Sequence, residues 1–141
     1  MNITGIITTL NEENNIVDCI VSLQKICNEI IVVDSYSKDN TVFLAEQAGA
    51  KVIQQTYLGD GLQKNFGIEY ASNSWIFSLD ADERITEELV ATIKKIDLSQ
   101  TNFEAFAVRR RNHIGSRWIK SCRWYPDYCT RLYNKKYTRF A

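Results

Sequence analysis

No run of apolar residues in this 141-residue chain approaches the roughly 20 that a bilayer-crossing helix needs. A membrane-spanning helix is thereby excluded. No Gly-x-Gly-x-x-Gly opens a helix after the first apolar run, and Gly-Lys-Ser/Thr occurs nowhere, which disfavours dinucleotide enzymes and P-loop hydrolases. Histidine occurs once, at His113, so it has no histidine partner for a metal site. The four cysteines (Cys19, Cys27, Cys122, Cys129) show neither Cys-x-x-Cys nor zinc-ligand spacing. Reduced thiols are expected, with Cys19 and Cys27 as small apolar helix residues, rather than a disulfide framework. No secretory signal precedes the first strand, which points to the cytoplasm. Internal repeats, low-complexity stretches and interdomain linkers are absent as well.

Net charge is also missing, because 17 Lys and Arg balance 17 Asp and Glu. The balance hides an asymmetry. Residues 109–139 are strongly basic with Asp127 as their only carboxylate, while the acids lie mostly before Glu104. Such a tail suits an anionic partner: phosphate, an acidic glycolipid or a membrane surface. The hydrophobic share of 45% and the length are those of one globular domain, 1–141.

Strand and helix alternate along the first hundred residues. Ile3–Thr9 and Glu29–Asp34 are β-branched apolar runs, and Lys51–Gln54, 75–79 and 103–108 read as further strands. Asn11 can cap a helix carrying Ile16, Cys19, Ile20, Leu23 and Ile26 at helical spacing. Further helices are expected over 42–48, closed by Gly49, over 62–72, and after the cap Thr86. A last strand-like stretch covers 129–133. This order gives an α/β fold built of βαβ units around a mainly parallel sheet, with ligands at the carboxyl ends of the strands.

Three polar clusters fall at those strand ends. Asp80-Ala81-Asp82-Glu83 is the sharpest: two carboxylates one residue apart suit Mg²⁺ or Mn²⁺, which also takes phosphate oxygens. A bare Asp-x-Asp is common, and the bland alternative is a turn with caps; its place after a buried strand favours the metal. Asp34 can read a base edge or ribose, or merely start the turn Asp34-Ser35-Tyr36-Ser37. Asp39 and Thr41 fit turn and helix-start roles. Thr8-Thr9-Leu10-Asn11-Glu12-Glu13 offers hydroxyls and a helix start suited to a nucleotide. Lys64, in Gln63-Lys64-Asn65, can face a diphosphate or be a surface lysine. Arg109-Arg110-Arg111-Asn112-His113 and Arg117-Trp118 mix cations with aromatics as nucleic-acid binders do. The acids at the expected crevice speak against nucleic acid.

Taken together, Thr8 through Glu13, Val32-Val33-Asp34-Ser35 with Ser37, Asp39 and Thr41, and Trp75 through Asp80-Ala81-Asp82-Glu83-Arg84 resemble family 2 glycosyltransferases of the GT-A fold. Trp124-Tyr125-Pro126-Asp127 with Arg131-Leu132-Tyr133 resembles a narrower branch acting on the lipopolysaccharide core, the β-1,4-glucosyltransferases. The resemblance implies a Rossmann-like sheet flanked by helices, with residues 1–100 as the nucleotide-binding half and 101–141 as the start of an acceptor-side region. It places Thr8, Leu10 and Glu12 around the base, Asp34 on the base edge, Lys64 near the diphosphate, and Asp80 with Asp82 on the metal, Asp82 ligating directly. Leu10 departs from the aromatic residue that many relatives stack on uracil. The implied enzyme is an inverting glycosyltransferase moving a sugar from a nucleotide-diphosphate sugar, a UDP-sugar above all, to a glycan or glycolipid acceptor at the inner membrane face.

Such a displacement needs a general base at the acceptor hydroxyl. In relatives that base is an Asp or Glu further downstream. The expectation is therefore truncation, with the base lying beyond Ala141, and Asp127 is the weak candidate within this chain. The alternative is a catalytically incomplete module that binds the nucleotide sugar and metal without turnover. A nucleotidyltransferase is a third reading, opposed by the absence of a glycine-rich basic loop after the first strand.

Overall fold

A computed structural model describes residues 2–110, 113–114, 117–118 and 127–140. The elements run β1 (Ile3–Thr9), α1 (Ile16–Gln24), β2 (Glu29–Asp34), α2 (Thr41–Gln47), β3 (Lys51–Gln54), α3 (Asp60–Ile68), β4 (Trp75–Asp80) and α4 (Glu87–Lys94). Then follow β5 (Ala105–Arg110), the two-residue strands β6 (His113–Ile114) and β7 (Arg117–Trp118), and β8 (Asp127–Asn134). The main sheet has the order β3-β2-β1-β4-β8-β5, and β6 pairs with β7 apart from it.

The first four strands are parallel, as βαβ units require. Beyond β4 the direction reverses: β8 runs antiparallel to both β4 and β5. Strand β5 therefore lies at the sheet edge, and the later strand takes the place beside β4. Hydrophobicity accounts for that choice. Leu132 and Tyr133 of β8 lie opposite Phe77 and Ile76 on one side and Phe106 and Ala105 on the other, and both are fully buried.

The pleat sorts β1 between two cores. Ile3 and Ile7 pack with Cys19, Ile20 and Leu23 of α1, whereas Ile6 packs with Val33, Ile68 and Tyr133 on the opposite face. Each fully buried isoleucine contributes about 2 kcal/mol of transfer free energy. Cys19 and Cys27 are buried in the first core as small apolar residues, but only Cys19 is on the helix, since α1 ends at Gln24. Cys122 lies outside the described residues.

Several boundaries differ from the sequence reading: β5 spans Ala105–Arg110 rather than 103–108, β8 spans Asp127–Asn134 rather than 129–133, and two helices have other ends. Helix α1 starts at Ile16, and Asn11 does not cap it: Asn11 takes φ 52° and its side chain accepts from the Lys38 N–H at 2.8 Å. Helix α3 starts earlier, at Asp60, because Gly59 turns the chain with φ 108°. It also stops earlier, since the Ser72 N–H and hydroxyl both bond to the Glu29 carboxylate (2.8 and 2.9 Å) instead of extending the helix. Gly49 closes α2 with φ 98°, and Thr86 caps α4 by accepting the Leu89 N–H at 3.1 Å.

Candidate functional site

Thr8 and Asp80 end neighbouring strands and lie opposite one another in register, so their side chains share a face. The Thr8 hydroxyl donates to Asp80 Oδ1 at 3.2 Å. Helix α3 crosses that same face and brings Lys64 Nζ to 3.4 Å from the same oxygen. The close approach depends on Gly67, where an added Cβ would meet Val33 Cγ2 at 2.8 Å and Ile6 Cγ2 at 3.0 Å. Lys64 is only 8% exposed, and its ammonium also stands 5.4 Å from the centre of the Phe140 ring. A cation so buried requires an anionic neighbour, and Asp80 supplies it.

Past β4 the chain turns through Asp80-Ala81-Asp82-Glu83. The Glu83 N–H donates to the Asp80 carbonyl at 2.9 Å, and the Asp80 N–H donates back to Glu83 Oε1 at 2.9 Å. The Ala81 N–H reaches the Thr8 carbonyl at 3.2 Å. From behind, the Cys19 thiol donates to the Asp80 carbonyl at 3.7 Å. Burial, then the charges of Glu83, Asp82 and Asp80, push that thiol far above its ordinary range, so it stays neutral. Arg131 locks the turn further, donating to Glu83 Oε2 at 2.8 Å with both side chains largely buried. Asp82 is exposed, and its carboxylate makes no hydrogen bond or ion pair among the described residues.

Asp34 behaves differently. It pairs in register with Thr9, so the pleat directs it to the other face from Thr8 and Asp80, although it shares their edge of the sheet. Its carboxylate is fully buried, accepting from the Ser37 N–H (2.9 Å), the Ser37 hydroxyl (2.5 Å) and Gln54 Nε2 (3.2 Å). Ser37 in turn accepts the Asn11 N–H at 2.8 Å. Thr41 accepts the Glu12 N–H at 2.9 Å, and the Glu12 carboxylate takes the Asn15 amide at 2.8 Å. The loops after β1 and β2 are thus zipped together, with Asp39 and Thr41 serving the turn and helix start. Leu10 protrudes from them, 52% exposed.

The sequence-predicted residues therefore form two groups: Thr8, Lys64 and Asp80 in direct contact, and Glu12 with Asp34 built into the neighbouring loop pair. Three contributors stood in the sequence motifs with no role of their own. Glu83 and Arg131 are 48 residues apart and meet only because β8 enters the sheet. Gln63, 1% exposed, bonds Ser35 Oγ and the Gln55 carbonyl (both 3.1 Å) and accepts the Leu58 N–H (3.0 Å), tying α3 to the segments after β2 and β3. Its only signal in the sequence was adjacency to Lys64. Asp127 starts β8 opposite Arg110; its side chain, like the others of 109–128, falls outside the described set. Ala141, beyond which the general base is expected, also lies outside the described residues, and none of them is placed as that base.

Among the described residues no three His, Cys, Asp or Glu side chains cluster as a protein-only metal cage. Asp80, with a side chain 46% exposed, and Asp82 offer two accessible carboxylates. That donor set fits Mg²⁺ or Mn²⁺, which bind through one or two carboxylates completed by substrate phosphates and water.

Residues 4–140 match the family described as glycosyl transferase family 2. The chain belongs to that family. Its family 2 relatives include a protein of Rickettsia felis named an uncharacterized glycosyltransferase, 41% identical over 99% of this chain and 50% of that protein. The lipopolysaccharide core biosynthesis glycosyltransferase LpsC of Rhizobium meliloti is 32% identical over 79% of this chain and 43% of its own. This family 2 chain thus spans about half the length of the curated relatives it matches. Among solved structures, the GT-A fold is shared with glucosyl-3-phosphoglycerate synthase of Mycobacterium tuberculosis, crystallised with Mn²⁺, UDP and glucosyl-3-phosphoglycerate. The TM-score is 0.51 and the identity 26%, over 57% of this chain and 33% of the synthase.

Proposed function

We propose that these residues form the donor site of an inverting glycosyltransferase that takes a nucleotide-diphosphate sugar, a UDP-sugar, with Mn²⁺ or Mg²⁺. The observation that carries this reading is the convergence of the Thr8 hydroxyl and the buried Lys64 ammonium on one oxygen of Asp80, beside the exposed Asp82. Lys64 would hold diphosphate oxygens, while Asp80 and Asp82 would hold the cation. The cation would neutralise charge on the departing diphosphate. Thr8, Leu10, Glu12 and Asp34 would surround the base and ribose. The likeness to a synthase crystallised with Mn²⁺ and UDP supports both the nucleotide and the metal.

The acceptor is proposed as a glycan or glycolipid, with the lipopolysaccharide core favoured by the likeness to LpsC. The basic stretch 109–139 suits an anionic acceptor or the inner membrane surface, and nucleic acid is not the proposed partner. Residues 1–100 would serve the donor and 101–141 begin the acceptor side. No described helix is long and apolar enough to cross a membrane; the proposed place of action is the cytoplasm. A second reading, a donor- and metal-binding module without turnover, draws on one fact: Asp127 is the sole carboxylate after Glu104 within these 141 residues.

Calorimetric titration with UDP-glucose, UDP and ADP, each with and without Mn²⁺, tests the donor site. Mn²⁺-dependent binding of UDP and UDP-glucose is expected, and Asp82→Asn should abolish the Mn²⁺ dependence while the thermal midpoint stays unchanged. Unaltered Mn²⁺ dependence in that variant removes the metal role from Asp82. Release of glucose from UDP-glucose, or its transfer, separates the enzyme from the silent module.

A further inference from the structure

Asn65 and Phe140 are joined by a two-way hydrogen bond. The Asn65 amide donates to the Phe140 carbonyl at 2.6 Å, and the Phe140 N–H donates back to Asn65 Oδ1 at 3.0 Å. A side-chain amide that pairs with both backbone groups of one residue fixes where that residue lies, here 75 positions along the chain. The ring of Phe140 is held as well. It meets the fully buried Tyr133 ring in a T-shaped contact, centroids 5.4 Å apart at 88°, and the Tyr133 and Ser78 hydroxyls bond at 2.7 Å.

So anchored, the Phe140 ring stands 5.4 Å from the Lys64 ammonium. A lysine carries its charge on a long flexible stem, and a single ion pair to Asp80 at 3.4 Å leaves that stem room to swing. An aliphatic side chain at position 140 would only exclude water, whereas an aromatic face also attracts the cation. Asn65 follows Lys64 directly on α3, so the residue that seats the ring and the residue whose charge the ring holds move together. When a cation claims Asp80, the ring still holds the ammonium.

We infer that Asn65 and Phe140 are positioning residues of the donor site: Asn65 seats Phe140, and its ring aims the Lys64 ammonium at the diphosphate. This assignment rests on the donor-site reading above.

The test sets Phe140→Leu, Phe140→Tyr and Asn65→Ala beside the unaltered protein, with UDP and uridine titrated in the presence of Mn²⁺. Phe140→Leu and Asn65→Ala should each weaken UDP by roughly fivefold or more, the range of a desolvated cation–π contact, and leave uridine unchanged. Phe140→Tyr keeps the aromatic face and should retain UDP affinity within about twofold. In a Lys64→Met background, neither Phe140→Leu nor Asn65→Ala should cost anything further, because the charge they act through is gone. Losses as large in that background overturn the inference, as does a Phe140→Tyr protein as weak as Phe140→Leu; both are marks of general loosening. Asn65→Ala carries the test if Phe140→Leu does not fold. A second readout needs no nucleotide: acetylation of Lys64 by acetic anhydride, followed by peptide mass spectrometry, should quicken several-fold in Phe140→Leu and Asn65→Ala. An unchanged rate overturns the ring's hold on the ammonium and leaves the donor site standing. If the unaltered protein binds neither UDP nor uridine, the donor-site reading itself falls and takes the positioning role with it.

Discussion

Lys64 keeps 8% of its surface exposed, and the partner within reach of its ammonium is Asp80, 3.4 Å away. A buried ammonium that loses its counter-charge costs several kcal/mol, so Asp80 cannot be handed to a cation unless another anion reaches Lys64. A diphosphate is such an anion. Metal and nucleotide should consequently bind with positive coupling, each making room for the other's charge. Lys64→Met keeps an unbranched side chain and removes the charge that stands over the Phe140 ring. It should weaken UDP by about tenfold, the scale of one charge-assisted hydrogen bond, and leave uridine unchanged. It should also tighten Mn²⁺ binding to the nucleotide-free protein, because Asp80 is then unclaimed. Calorimetry with UDP, uridine and Mn²⁺ alone reads all three, and equal losses for UDP and uridine would remove the phosphate contact.

Helix α3 is the element on which the site turns. It carries Lys64 and Gln63, ties the 55–58 segment to Ser35, and grips the end of the described chain through Asn65, which exchanges two hydrogen bonds with Phe140 (2.6 and 3.0 Å). Its height above the sheet is set by Gly67, pressed against Val33 and Ile6. Both neighbours are β-branched and buried, with no flexible end to yield. Gly67→Ala gains up to about 1 kcal/mol of helix propensity and meets overpacking of about 1–3 kcal/mol. A net loss of about 1 kcal/mol is expected in urea denaturation, with weaker UDP binding as α3 and Lys64 lift away. A more stable variant with unchanged affinity would show that α3 has room to spare.

For the molecule as a whole, buried and bonded ionisable groups bracket the pH range of stability. Burial raises the Cys27 thiol from 9.0 to about 12, raises Cys19 further, and raises the Tyr133 phenol from 10.0 to about 12. Groups whose folded values are raised contribute fully below their unfolded values, and that contribution is lost as pH climbs past them. At the acid end, burial opposes ionisation of Glu29, but hydrogen bonds from Thr4 and Ser72 and the Lys51 charge prevail and lower it below 4.5. Asp39 is lowered below 3.8, chiefly by Thr41. Their stabilisation is present above those values and fades as pH falls through the lowered ones. The thermal midpoint should therefore be flat from about pH 5 to 9 and fall on both sides. Tyr133→Phe should reduce the alkaline slope above about pH 10; an unchanged slope would place that loss elsewhere.

The order of strands and helices was legible in the chain because periodicity is local: the runs Ile3–Thr9, Glu29–Asp34 and Lys51–Gln54 are strands with those bounds. The family was legible too, since Asp34, Asp80 and Asp82 each sit where a buried strand ends. Boundaries failed where a distant side chain captured a backbone group, as Glu29 does at Ser72 and Ser37 at Asn11. Only the tertiary structure decided that β8 displaces β5 from β4, that Arg131 braces the acid turn through Glu83, and that Lys64 is a buried partner of Asp80 rather than a surface lysine. Each of these joins residues far apart in sequence, and such meetings follow from how two apolar faces of one sheet are covered, which no single segment encodes.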